Sequence, residues 1–117
     1  MTEAERYLKK LEQVIEADDR YDLDAYLFVQ EVLSFLAREN KVRRHVSGEE
    51  LLEGIRRYAL REFGPLSREV FEHWGIYRCE DFGEIVFNMV ERGILRKTEE
   101  DSRKDFEGGY DFRDAFG

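Results

Sequence analysis

A chain of 117 residues that is 42% hydrophobic, with nine Phe, six Tyr and one Trp, has the size of one domain and can bury a core without disulfide or metal staples, which sets aside disordered and fibrous classes. Its net charge of −8 turns most of its surface against nucleic acid and anionic lipid. A lone cysteine, Cys79, rules out an intramolecular disulfide, and neither a signal peptide nor an apolar run near the roughly 18–20 residues of a membrane span is apparent; the expectation is a cytoplasmic protein without membrane association.

In chain order, Thr2 and Glu5 fit a capping box, and Tyr7, Leu8, Leu11, Val14 and Ile15 recur at helical spacing until EADDRYD breaks the pattern. The next helix, DAYLFVQEVLSFLAREN, is apolar over most of its circumference, with a narrow polar stripe of Gln30, Glu31, Ser34 and Arg38. That places it at the centre of the core. After the linker NKVRRHV, Ser47 and Glu50 form a second capping box, and Leu51, Leu52, Ile55, Tyr58, Ala59 and Phe63 mark the buried face of a third helix that Gly64 and Pro65 end. Ser67 is placed to cap a short fourth helix running to Trp74. Glu80 and Asp81 open a fifth, lined by Phe82, Ile85, Val86, Met89 and Val90, and Gly93 closes it with Ile94 beyond.

ILRKT and YDF then read as two short strands, with residues 99–109 between them as a loop. The order helix, short helix, turn, helix, strand, loop, strand is that of a winged helix. The expected fold is therefore mainly α, about five helices with a C-terminal winged-helix-like unit ending in a β-hairpin wing. A single domain covers 1–117, residues 1–40 forming an N-terminal helical pair and 47–113 the winged-helix-like portion.

DNA reading through this unit would bring the start of its second helix to the bases and flanking cations to the phosphates. Here that helix starts with Glu80, Asp81 and Glu84, while the wing loop sets Arg103 and Lys104 against Glu99, Glu100, Asp101, Asp105 and Glu107. Carboxylates at both contact points oppose the duplex. Only residues 38–61 are basic, with seven Lys or Arg against four acids. Arg43, Arg44, Arg56, Arg57 and Arg61 are the charged candidate surface, although Glu53 and Arg57 also have the i,i+4 spacing of a helix ion pair. Phe106, Tyr110, Phe112 and Phe116 make the C-terminus unusually aromatic. Such side chains gain about 1.5–3 kcal/mol each on burial, so they complete the chain's own core or meet a partner; Tyr110, Phe112 and Phe116 form the apolar candidate surface.

Enzyme chemistry finds no constellation. His45 and His73 lack a nucleophile partner, His73 and Cys79 lack the spacing of a zinc site, and EGGYDF matches no phosphate-loop pattern. A thiol just before a helix gains acidity from the helix N-terminus, but Glu80 and Asp81 disfavour its thiolate. No catalytic, cofactor-binding or metal-ligating residues are expected.

The stretches YDLDAYLFVQEVLSFL, HVSGEELLEGIRRYALREFGPLSREVFEHWGI and EDFGEIVFNMVERGILRKTEEDSRKDFEGGYDFRDAF resemble a family of short bacterial proteins, best known from planctomycetes and verrucomicrobia, uncharacterised as to function. The C-terminal DF, GYDF and AF pattern is the most distinctive part. The resemblance implies a self-contained domain and carries no activity, cofactor or catalytic residue. The functional expectation is a non-enzymatic protein-interaction or adaptor domain whose partner is another protein, with a homodimer left open. Its alternative is a nucleic-acid-binding regulator using the winged helix and the basic middle segment.

Overall fold

The computed structural model describes residues 1–40, 46–95 and 103–117. Helix α1 (Glu3–Ala17) starts at the expected capping box: the Thr2 hydroxyl accepts from the Glu5 amide at 3.1 Å while the Glu5 carboxylate accepts from Thr2. Leu11 and Val14 carry its buried face. Helix α2 (Leu23–Asn40) buries Ala25, Tyr26, Phe28, Val29, Val32 and Leu36, a helical i, i+3, i+4 pattern widened by Tyr26. It packs against α1, α3 (Gly48–Phe63) and α5 (Cys79–Glu91), which is why so little of its circumference is polar.

Helix α3 begins at the Ser47–Glu50 capping box and ends where Gly64 takes a φ of +53°, followed by a 3-10 turn, Gly64–Leu66. Ser67 does not cap the fourth helix. It is the first residue of α4 (Ser67–His73) and is fully buried, its hydroxyl 3.0 Å from the Ala59 carbonyl and 2.7 Å from that of Gly64. The buried hydroxyl thus turns back to carbonyls of α3 and its closing turn, where it finds the partner a buried hydroxyl needs, instead of capping the helix it starts.

Helix α5 is capped by Asp81, whose Oδ2 accepts from the Tyr77 and Arg78 amides at 2.8 and 3.3 Å, while its Oδ1 accepts from the Tyr21 hydroxyl at 2.7 Å. At the other end Gly93, at φ +72°, lets the Ile94 amide reach back to the Met89 carbonyl at 2.9 Å, the six-to-one bond of a Schellman ending. That position needs a residue that tolerates the left-handed region.

The β-hairpin wing is a correction. No strand occurs among the described residues. Of the first expected strand, Ile94 and Leu95 follow the helix cap in a bend and 96–98 lie outside the described residues; of the expected loop, 99–102 lie outside them as well. Residues Arg103–Phe106 make a 3-10 turn. The second expected strand breaks at Phe112, where Asp111 caps a short helix α6 (Phe112–Phe116) by accepting from the Arg113 amide at 2.7 Å. Tyr110 and Phe112 have the alternation of a strand, but Phe112 and Phe116 also stand one helical turn apart, and their rings lie 5.8 and 5.2 Å from that of Phe71. Burying both on the fully buried Phe71 favours the helical turn. Among the described residues of 47–113, then, the helices expected are present and the hairpin wing is not.

One hydrophobic core runs through every helix, with Phe28, Phe71 and Phe82 at its aromatic centre. Among the described residues no helix is long and apolar enough to cross a membrane.

Candidate interaction surface on helices α2 and α3

The buried stripe of α3 runs from Leu51 and Leu52 through Ile55 to Tyr58 and Ala59, with Tyr58 against the Phe28 and Phe35 rings of α2, and leaves its arginines on the flanks. Arg57 reaches across to α2, where its guanidinium donates to both oxygens of Glu39, at 2.6 and 2.7 Å, and lies 5.4 Å from the centre of the Phe35 ring. Arg61 stands 5.1 Å from the Phe35 ring and 5.2 Å from that of Tyr58, with Glu62 at 3.1 Å. The Tyr58 hydroxyl donates to Glu31 at 2.9 Å. Two guanidinium groups thus cover one half-buried aromatic ring, and carboxylates tether both.

Charge follows geometry. Hydrogen bonding from Arg57 holds the Glu39 carboxyl below its ordinary range and raises Arg57 in turn. The Tyr58 phenol is raised, first by its bond to Glu31 and then by burial. The expected Glu53–Arg57 ion pair is replaced. Glu53 pairs with Arg56 one position nearer, Arg56 Nε donating at 3.1 Å, because Arg57 points toward α2 and is taken by Glu39. Each arginine of α3 therefore has a carboxylate beside it, so α3 does not present the bare cationic stripe that a phosphate clamp requires.

Arg43 and Arg44 lie outside the described residues. Arg56 is paired with Glu53, which with Glu49, Lys104, Asp105, Glu107 and Tyr110 lines an open groove of about 310 Å³. Tyr110 is half-buried. Its hydroxyl donates to the Leu52 carbonyl at 2.8 Å, its amide and carbonyl each lie 3.4 Å from the Cys79 sulfur, and burial pushes its phenol up. Phe112 and Phe116 are buried at 6% and 3% exposure. Of the candidate residues the structure brings Arg57 and Arg61 together, while the aromatic ones belong to a different face or to the core.

Glu31, Phe35, Glu39 and Tyr58 were missed as site residues. Glu31, Phe35 and Glu39 recur at i, i+4 and i+8 along α2, a stripe the sequence displays, but nothing local says that α3 lies against it. A second polar cluster was missed altogether. Asp18 accepts from Arg20 at 2.7 and 2.9 Å and from Asn88 at 2.9 Å, and Asn88 also bonds the fully buried Tyr26 hydroxyl at 3.1 Å. This cluster ties the α1–α2 turn to α5. Cys79 is buried, and desolvation above all raises its thiol, outweighing the Tyr110 amide. His73 is exposed and His45 lies outside the described residues. Among the described residues no group of three or more His, Cys, Asp or Glu side chains gathers as a metal site needs.

Comparison of the chain with protein-family models, with curated proteins and with solved structures finds no match.

Proposed function

We propose that this protein is a non-enzymatic interaction or adaptor domain, and that the α2–α3 face carrying Phe35, Arg57 and Arg61 makes its contact. The observation that carries this reading is the stack of Arg57 and Arg61 over Phe35, held by Glu39 and Glu62. Arginine and aromatic residues are enriched at interface centres, and an arginine already held in place loses less side-chain entropy when a partner arrives. The partner chemistry that fits is a protein surface offering a carboxylate to the outer edge of Arg61 beside an apolar side chain for the exposed part of Phe35.

The same pairings weigh against a nucleic-acid regulator. Glu39, Glu53 and Glu62 stand beside the arginines that would meet phosphates. The lone buried thiol of Cys79 suits the cytoplasm as the place of action.

The test sets wild type against Arg61→Ala. Arg61 is 59% exposed, so its loss is expected to change stability by less than about 1 kcal/mol in a urea titration. Affinity for a protein captured by the wild type is expected to fall at least about tenfold. Capture that is indifferent to Arg61→Ala and Phe35→Ala removes this face from the reading. Labelled duplex DNA and single-stranded RNA are expected to show no anisotropy change even at low salt; salt-sensitive binding would transfer the function to the regulator reading.

A further inference from the structure

The partner chemistry that fits Arg61, a carboxylate beside an apolar side chain, is displayed by the α2–α3 face itself. Arg61 lies over the half-buried Phe35 ring and pairs with Glu62, its neighbour in the chain, at 3.1 Å. Their side chains are 59% and 41% exposed. An ion pair so open to water contributes little by itself, so each of its charges can take a partner from another molecule at small cost. Arg57 is held more firmly, because two of its guanidinium nitrogens are taken by Glu39.

With a net charge of −8, two copies of the chain repel each other in most orientations. The groove beside Tyr110, for example, is lined by Glu49, Glu53, Asp105 and Glu107 with Lys104 alone of opposite sign. Set against its own copy, such a surface brings like charges together. The α2–α3 face differs because it holds both signs around an aromatic centre. A two-fold axis through such a face sets residue i of one copy against residue j of the other and j against i, so opposite charges meet twice. Arginine and aromatic side chains are also what interface centres favour. We propose, resting on the reading of this face as the contact surface, that its partner is a second copy of this chain: Arg61 of each copy pairs with Glu62 of the other across the Phe35 rings.

Charge exchange on the full chain tests this. Arg61→Glu sets Glu against Glu62 at both halves of the contact, and Glu62→Arg sets Arg against Arg61. In sedimentation equilibrium the wild type is expected to dimerise at about 100 µM and each variant at least about tenfold more weakly. An equimolar mixture of the two variants is expected to recover the dimer, since opposite charges then meet at both positions. A wild type that stays monomeric at about 1 mM overturns the proposal. So does a dimer that neither variant weakens, or a mixture that associates no more tightly than its components. Should a charge reversal unfold the chain, Arg61→Ala is compared with wild type in the same way, and an unchanged dissociation constant overturns the proposal. The wider reading fails separately: a monomeric wild type that still captures another protein through Arg61 and Phe35 keeps the face as a contact surface and removes only the second copy.

Discussion

Asp18 shows how one side chain joins three elements. Its carboxyl is held well below the ordinary aspartate value, first by hydrogen bonds from Arg20 and then by Asn88, against a burial cost that acts the other way. The unfolded chain takes up this proton at higher pH than the folded one, so the stabilisation is whole above the unfolded pKa and lost as pH falls toward the folded one. Thermal stability is expected to decline from about pH 5 downward. Asp18→Asn should cost about 1.5–3 kcal/mol at pH 7 by urea titration and flatten that acid limb; an unchanged limb would assign it to other carboxylates. Gly48 invites a second test at this scale. Alanine there would overlap the Asp105 Cβ, whereas at Gly93 it would meet open space but sit at a positive φ. Gly93→Ala is expected to cost about 1 kcal/mol and Gly48→Ala clearly more, read as a difference in Tm.

At the element scale, the acids that open α5 serve the fold. Asp81 accepts the Tyr77 and Arg78 amides and the hydroxyl of the buried Tyr21, and Glu84 lies 3.5 Å from Arg20. Burial above all, then the bond to Asp81, raises the Tyr21 phenol. Asp81→Ala is expected to destabilise by about 2–3 kcal/mol in urea, since it removes a helix cap and strands a buried hydroxyl together. A loss under about 0.5 kcal/mol would mean that water replaces both roles. The N-terminal caps of α1 and α3 were legible because each joins residues three apart in the chain, whereas at α5 the sequence showed acids at a helix start but not the Tyr77 and Arg78 amides that Asp81 takes. Ser67 misled for the same reason: its position suits a cap, and only the packing of α4 against α3 turns its hydroxyl back to Ala59 and Gly64.

For the whole molecule, the aromatic core closes with its last residues. Phe116 packs 5.2 Å from Phe71 and 5.7 Å from Tyr110, so Phe116→Ala is expected to cost about 3–5 kcal/mol by urea titration. A variant that melts like the wild type would mean that this end of the chain adds little to the core. Helix positions, caps and the central role of α2 were open to the sequence alone, because hydrophobic period and capping chemistry act within a few residues. The aromatic tail was not: Tyr110, Phe112 and Phe116 suit a strand or a helical turn equally, and only the surface of Phe71 selects between them. Likewise the charge of Arg57 was written in the chain, but its partner Glu39 lies 18 residues away. Whether that arginine faces phosphate or carboxylate was decided by how two helices pack, an interaction no local pattern encodes.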